Sequence, residues 1–129
     1  MLDAFARFTV RMQKRGSSIG DFNHANVLYR PDPAGGYRFQ LIDINRMRFH
    51  ARPHSMRRCM VNLQRLACPA PAFLYLFVRY AEQRGWNVSD TLLRGVFFRL
   101  LFTRRKQLHK RFRARRTAAA AKKRARNLD

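Results

Sequence analysis

Two short apolar runs separated by a turn-forming segment constrain the fold of this chain most strongly. The runs are Val27–Tyr29 and Phe39–Ile42, and the segment Pro31–Gly36 between them contains two prolines and two glycines. Short runs of β-branched and aromatic residues are typical of strands, and proline with glycine between them favours a turn. The sequence therefore predicts a β-hairpin with a loose connection, and it places Asp43 at the end of the second strand.

Most of the remaining sequence has helical periodicity. Apolar residues recur every three or four positions from Leu2 to Met12, which predicts a helix over residues 2–15 that stops at Gly16 and is followed by a loop over residues 17–26. Three further helices are predicted: one capped by Ser55, one from about Ala72 to Arg84 that ends at Gly85, and one capped by Asn87 or Ser89. In the last of these, Leu92, Leu93, Val96, Phe97, Leu100 and Leu101 are expected to face a core. The fold class is therefore α+β, mainly α.

The charge balance points to an anionic partner. The chain of 129 residues carries 28 Lys and Arg against 7 Asp and Glu, a formal charge of +21. That excess favours nucleic acid, anionic lipid headgroups or phosphorylated glycolipids as partners. The hydrophobic fraction of 47% is ordinary for a folded protein. No secretion signal or bilayer-spanning run is apparent, and Cys59 and Cys68 are expected to be free thiols.

Three polar residues around the hairpin have a spacing that suggests chemistry. Asp21 precedes Asn26 by five residues, and Asp43 follows the second strand. Protein-kinase-like enzymes place a catalytic carboxylate, a metal-binding amide and a metal-binding carboxylate in this order. Asp21 would then be the base that accepts the proton of the acceptor hydroxyl, and Asn26 and Asp43 would hold Mg²⁺ through oxygen atoms. The alternative is that all three are turn or strand-end residues without a chemical role.

The stretches from Gly16 to Leu28 and from Leu41 to Phe49 resemble the lipopolysaccharide kinase family of Kdo and heptose kinases, a branch of the protein-kinase-like fold. The resemblance covers residues 2 to about 66 well and the later helices only in kind. It implies a kinase-like C-lobe over residues 1–112, in which the hairpin carries the catalytic loop and the metal-binding aspartate, followed by a basic Arg/Lys/Ala tail over residues 113–129. It also implies Mg²⁺ and ATP as cofactors. The expected reaction is phosphorylation of a Kdo or heptose hydroxyl in a lipopolysaccharide precursor or lipid A core, at the cytoplasmic face of the inner membrane.

Two features depart from the family pattern. Ile19 occupies the position, two residues before Asp21, where the family has a histidine. The six glycines form no phosphate-covering loop, and the only lysine before Lys106 is Lys14. The elements with which a kinase N-lobe grips nucleotide phosphates are thus not found in this sequence. We expect a C-lobe alone, and a truncated gene, a split enzyme with an N-lobe partner and a pseudokinase are all consistent with it.

Four residues near the three are weaker candidates for contact with substrate or phosphate: Asn23, His24, Arg46 and Arg48. The alternative for His24 is an exposed loop side chain, and for the two arginines an ion pair with Asp21 or Asp43. A competing function for the whole chain is a non-enzymatic basic adaptor that binds nucleic acid or an anionic membrane surface through Arg99–Arg126. Family resemblance favours the membrane, because basic clusters are attracted to anionic leaflets.

Overall fold

The computed structural model describes residues 1–20 and 22–126, and it describes side chains only up to residue 120. Helix makes up 63% of the chain, so the predicted α+β, mainly α class is confirmed. In chain order the elements are α1 (Leu2–Lys14), β1 (Ser17–Ile19), β2 (Val27–Pro31), β3 (Tyr37–Leu41), β4 (Met47–Phe49), α2 (Met56–Leu63), α3 (Ala70–Arg84) and α4 (Val88–Arg126). Single 3₁₀ turns lie at His24–Asn26 and Ile44–Arg46. The chain divides into two units, Met1–Arg99 and Leu100–Asp129.

Helix α1 confirms the first predicted helix, and Gly16 ends it for a specific reason. Gly16 has φ +74°, a left-handed conformation in which a side chain is strained. A Cβ atom there would lie 2.0 Å from the carbonyl oxygen of His50. The backbone amide of His50 donates a hydrogen bond to the Gly16 carbonyl at 2.9 Å. Glycine is therefore required where the chain leaves α1 and passes the segment after β4.

The four strands form two nested antiparallel pairs. Strands β2 and β3 make the predicted hairpin, with Val27 opposite Leu41. Strands β1 and β4 pair outside it, with Ile19 opposite Met47. The prediction that residues 17–19 belong to a loop was wrong, because Ser17–Ile19 gains its hydrogen bonds from a strand that lies far along the sequence. Between the two pairs, the segments 20–26 and 42–46 are joined by backbone hydrogen bonds from Gly20 to Arg46 and from Ile42 to Asn26.

The core of the first unit lies between α1, α2 and α3. Helix α1 packs on α3, where Phe73, Phe77 and Tyr80 are buried. The Phe73 and Phe77 rings stack with their centroids 4.3 Å apart. The predicted helix boundaries are confirmed at two points: the Ser55 side chain accepts a hydrogen bond from the Arg58 amide, and Gly85 ends α3 with φ +68°. Both cysteines are free, as predicted.

The N-terminal part of α4 presents a different face to the core from the one predicted. Asn87 is the cap, since its side chain accepts a hydrogen bond from the Asp90 amide at 2.9 Å. Leu92 and Val96 pack against the core, but Leu93 and Phe97 are 72% and 60% exposed. A Cβ atom at Gly95 would lie 2.2 Å from the Phe77 ring, so this glycine sits at the centre of the buried face. Leu93 and Phe97 are two residues away on either side, about 160° around the helix, and so they point outward.

Leu100, also expected to face a core, is 64% exposed in the second unit. Residues 113–120, which belong to the predicted solvated tail, lie within α4 and have exposed side chains. Among the residues whose structure is described, no helix combines the length and the apolar character needed to cross a membrane.

Candidate functional site

Buried polar side chains bind the end of β1, where the loop to β2 begins. Ile19 is fully buried, and its carbonyl oxygen accepts a hydrogen bond of 2.6 Å from Nδ2 of Asn62 on α2. Oδ1 of Asn62 accepts one of 3.0 Å from Nε2 of Gln13 on α1. The Tyr80 hydroxyl on α3 donates to Oε1 of Gln13 at 2.5 Å. Three helices thus converge on one carbonyl group of the loop, and we call Gln13, Gly16, Ile19, Asn62 and Tyr80 the anchored base.

The direction of each hydrogen bond in the anchored base is determined by chemistry. Burial raises the pKa of the Tyr80 hydroxyl well above its usual value, so Tyr80 stays protonated and donates. Gln13 must then accept through its oxygen and donate through its nitrogen, which leaves the Asn62 oxygen as acceptor. The Asn62 nitrogen is therefore oriented toward Ile19. A chain of satisfied buried hydrogen bonds of this kind rigidifies the backbone that it reaches.

Asp21, the predicted base, lies outside the described residues, but both of its neighbours in the chain are described. The Gly20 amide donates a 3.1 Å hydrogen bond to the Arg46 carbonyl, and the Arg46 side chain packs over Gly20. Phe22 is fully buried, and its ring stacks on Phe5 of α1 with centroids 5.9 Å apart.

The end of the same loop forms a 3₁₀ turn that leads directly into the hairpin. Oδ1 of Asn23 accepts a 2.8 Å hydrogen bond from the Ala25 amide, so this side chain caps the turn. His24 is exposed, and it borders an open apolar cavity of about 260 Å³ that Phe5, Val27 and Phe39 also line. Asn26 is half-buried. Asn23 therefore has a structural role in addition to the substrate contact predicted for it.

Strand pairing places Asn26 beside the segment that contains Asp43. The Asn26 carbonyl accepts a 3.0 Å hydrogen bond from the Ile42 amide, one residue before Asp43. Asp43 is exposed and has φ +53° and ψ +53°, the only non-glycine residue with positive φ among those described. Nδ2 of Asn45 donates to Oδ1 of Asp43 at 3.4 Å. We call Asn26, Ile42, Asp43 and Asn45 the exposed rim.

The exposed rim contains an amide side chain, Asn26, and a carboxylate, Asp43, on two segments that are joined by the backbone hydrogen bond between Asn26 and Ile42. These are ligand types that Mg²⁺ prefers, and Mg²⁺ is usually held by one or two protein groups together with phosphate and water oxygens. The left-handed backbone at Asp43 costs about 1 kcal/mol or more and is common at functional sites. In the described part of the chain, no three His, Cys, Asp or Glu side chains lie close enough to hold a metal ion. A magnesium site would therefore depend on Asn26 and one described carboxylate.

The two predicted arginines follow Asp43 closely, since Arg46 ends the 3₁₀ turn and Arg48 lies in β4. The Arg46 carbonyl accepts a hydrogen bond from the Gly20 amide, and Arg48 pairs with Ser18 across β4 and β1. Both side chains are exposed. Within the described residues, neither forms an ion pair with Asp43, and an ion pair with Asp21 lies outside the described residues.

The outer face of the hairpin adds further positive charge. An open concavity of about 450 Å³ is lined by Leu28, Arg30, Arg38 and Gln40. Arg38 also forms an ion pair with Asp32 at 2.6 Å, which supports the turn of the hairpin. This surface begins two residues after Asn26 and suits an anionic ligand.

A buried histidine lies in the segment after β4, where its amide donates a 3.2 Å hydrogen bond to the Gln13 carbonyl. His54 is 3% exposed, and neither of its ring nitrogens has a clear hydrogen-bond partner among the described residues. Its ring is in edge contact with His50 at 5.1 Å between centroids. Burial, with smaller contributions from His50, Arg58 and Arg84, lowers the pKa of His54 below its usual value. This histidine is therefore neutral and structural, not part of the candidate site.

Sequence reasoning missed the anchored base. Gln13 and Asn62 are polar residues on the apolar faces of α1 and α2, and both are buried. A polar residue at a core position is a usable signal, because burial requires a hydrogen-bond partner. The partner of Asn62 is the backbone carbonyl of Ile19. Every residue has such a carbonyl, so the sequence does not indicate which one Asn62 binds.

No family model matches the chain, and no curated protein or solved structure is detectably similar to it.

Proposed function

We propose that this chain is a lipopolysaccharide-kinase-like C-lobe that supplies the magnesium-binding and acceptor-binding half of a phosphotransferase site. The observation that carries the proposal is the nested strand pairing, which bonds Asn26 to Ile42 and so sets Asn26 next to Asp43. In a mainly helical chain with only seven acidic residues, the backbone bond between Asn26 and the segment that carries Asp43 supports the chemistry that the sequence spacing predicts.

Each residue of the proposed site has a distinct role. Asp21 orients the sugar hydroxyl of the acceptor and takes its proton. Asn26 and Asp43 hold Mg²⁺, which when bound neutralises phosphate charge during transfer. Arg46 and Arg48 attract the anionic acceptor to the exposed rim, and Asn23 holds the 3₁₀ turn that presents Asn26.

The anchored base offers a substitute for the missing loop histidine. Where the family has a histidine side chain to brace the catalytic loop, this chain buries Ile19 and fixes its carbonyl through Asn62. The bracing is then backbone-based, so Ile19 is compatible with an ordered loop. Binding of the nucleotide phosphates still requires a glycine-rich loop and a lysine. We expect an N-lobe partner to supply both.

The surroundings of the site favour an amphiphilic, anionic acceptor. An apolar cavity adjoins His24, and a basic concavity lies on the outer face of the hairpin. A core sugar attached to lipid A presents phosphate groups and acyl chains together. The acceptor we propose is therefore a Kdo or heptose hydroxyl of a lipopolysaccharide precursor, at the cytoplasmic face of the inner membrane.

The test uses Mn²⁺ with ATP as a paramagnetic probe of the magnesium site. We expect Mn²⁺·ATP to broaden the amide NMR signals of Asn26, Ile42 and Asp43 selectively. Asp43→Asn, which keeps a residue that tolerates the left-handed conformation, should weaken this binding at least about tenfold. Asp32→Asn changes the other carboxylate of the hairpin region and is the matched control. Broadening that is spread over the surface, or that survives Asp43→Asn, would contradict the proposal.

The alternative is the non-enzymatic basic adaptor, which the exposed cationic side chains of residues 104–116 favour. Labelled ATP separates the two functions. Phosphate transfer to lipid A that carries Kdo or heptose, abolished by Asp21→Asn, would establish the kinase. Because the nucleotide grip is expected from an N-lobe partner, absence of transfer by this chain alone does not decide between the two, whereas absence of localised Mn²⁺ binding at Asn26 and Asp43 would favour the adaptor.

A further inference from the structure

The described part of the second unit, residues 100–120, is a cationic helical segment, which we call the basic segment. It contains eight Arg and Lys residues and no Asp or Glu. Every side chain from Thr103 to Ala120 is exposed. None of the eight cations forms an ion pair with another described residue. Like charges repeated at three- and four-residue spacing repel one another on a helix, so a polyanionic surface would stabilise this segment by neutralising them.

Large apolar side chains are exposed among these cations. Phe112 is 60% exposed and Leu108 is 43% exposed. The two are four residues apart and lie on one face of the helix, and Leu101, seven residues before Leu108, extends the same stripe. Exposed Leu and Phe side chains bury little apolar area and so contribute little hydrophobic stabilisation. Within the described part of the second unit, no protein surface covers them.

This combination distinguishes between the two kinds of polyanion. The phosphate backbone of a nucleic acid binds Lys and Arg but offers no apolar surface that would bury an aliphatic side chain such as Leu108. An anionic bilayer offers both, because a helix can lie in its interface with Leu and Phe below the headgroups and Arg side chains reaching back to the phosphates. The mixture of Arg, Leu and Phe therefore favours a lipid surface.

We propose that the basic segment binds the surface of an anionic lipid bilayer, with Leu108 and Phe112 inserted among the acyl chains and the flanking arginines at the headgroups. This binding does not depend on the proposed kinase function. It would bring the chain to the surface where lipid-linked substrates reside. Each cation near the surface is expected to increase binding about fivefold, and each inserted apolar side chain about tenfold.

The experiment measures co-sedimentation of the full chain with vesicles of phosphatidylcholine, alone or mixed with phosphatidylglycerol. We expect binding to the mixed vesicles to be at least about a hundredfold tighter and to weaken with salt. Leu108→Ser with Phe112→Ser, which leaves every charge in place, should reduce that binding at least about tenfold. Leu93→Ser removes an exposed leucine of α4 outside the basic segment, and it should leave binding to the mixed vesicles unchanged. Circular dichroism of each variant verifies that the helix content is retained.

Two further measurements make the proposal refutable. After subtraction of the emission of the wild-type chain, which comes from Trp86, Phe112→Trp should show a blue shift on mixed vesicles, as expected for an inserted ring. An unshifted difference spectrum would overturn insertion. Binding to duplex DNA at the same salt is the competing outcome. Tighter binding to DNA than to mixed vesicles, vesicle binding that survives loss of Leu108 and Phe112, or equal binding to neutral and mixed vesicles would each overturn the proposal.

Discussion

The anchored base and the exposed rim of the candidate site both border the nested strand pairs, yet the protein holds them by different means. The base is buried and fully hydrogen-bonded, with Ile19 connected to three helices through Asn62, Gln13 and Tyr80. In the rim, Ile42, Asp43 and Asn45 are exposed, and Asp43 has a left-handed conformation. The difference indicates that stability resides in the base and chemistry in the rim, so substitutions in the two regions should separate folding from ligand binding.

The largest effect is expected from Gly16→Ala in the base. The new Cβ atom would meet two backbone carbonyl oxygens, of His50 at 2.0 Å and of Arg52 at 2.8 Å, and backbone cannot move aside cheaply. We expect urea unfolding to show a loss of about 4 kcal/mol or more, or no folded protein. Gly35→Ala is the control, because Gly35 also has positive φ but no atom lies within 4 Å of its Cβ position. Its cost should be about 1–2 kcal/mol, and equal costs would contradict the steric argument.

Asn62→Leu tests the hydrogen bonds of the base at nearly constant volume. It leaves the Ile19 carbonyl and the Gln13 amide without their partner in a buried site, so we expect a loss of about 2–4 kcal/mol in the free energy of unfolding. Asn45→Leu, in the exposed rim, should change that free energy by less than about 0.5 kcal/mol. If Asn62→Leu costs no more than Asn45→Leu, the buried network does not stabilise the loop.

His54 should make the region around the base sensitive to acid. Its pKa is lowered in the folded state, so the unfolded chain binds a proton at a higher pH than the folded chain does. The contribution of neutral His54 to the free energy of unfolding is therefore fully present above about pH 6.5. It falls as the pH drops below that value, by up to about 1.4 kcal/mol per pH unit. The groups around His54 are His50, Arg58, Arg84 and the Cys59 thiol, and the three that carry positive charge in acid oppose its protonation.

Unfolding of His54→Phe measured between pH 7.5 and 5.5 checks this prediction, because the phenyl ring removes the titrating group. In this variant the free energy of unfolding should depend much less on pH than in the wild-type chain. His24→Gln, at an exposed histidine, should keep it, and a slope that persists in His54→Phe would assign the acid sensitivity to another group.

The smallest change in stability is expected in the rim, together with a clear change in binding. Asp43→Gly removes a side chain from a left-handed position, so the free energy of unfolding should stay within about 1 kcal/mol of the wild-type value and tend upward. Binding of Mn²⁺·ATP should nevertheless fall at least about tenfold. A variant that is both less stable and unchanged in binding would show that Asp43 is a structural residue.

The sequence predicted the local structure of this fold and missed the long-range part. Helix α1, the β2–β3 hairpin, the Ser55 cap and the Gly85 end depend on residues close in sequence, and all four are confirmed. Strands β1 and β4 have three residues each, too few for a visible alternation. Their pairing depends on tertiary structure that local patterns do not encode.

Prediction of faces failed in α4 for a related reason. The six apolar residues span about half of the circumference of the helix, but the buried side is rotated away from the centre of that arc, so periodicity alone does not locate it. The contact between Gly95 and the Phe77 ring selects it. At the site, spacing predicts a shared role for Asn26 and Asp43, and the structure shows a backbone hydrogen bond between Asn26 and Ile42, the residue before Asp43. It gave no indication of the Asp43 conformation or of the support from Asn62.

The nesting of the two strand pairs also has a consequence for the order of folding. Closing a loop costs more entropy as the loop lengthens, so β2 and β3, joined by a short turn, should pair before β1 and β4. Once the inner hairpin has formed, the chain between β1 and β4 is effectively shorter, and the outer pair can close at lower entropic cost. The candidate site lies where the two pairs meet, so it is complete only after the outer pair has closed. We therefore expect partial unfolding to disassemble the site before it opens the hairpin.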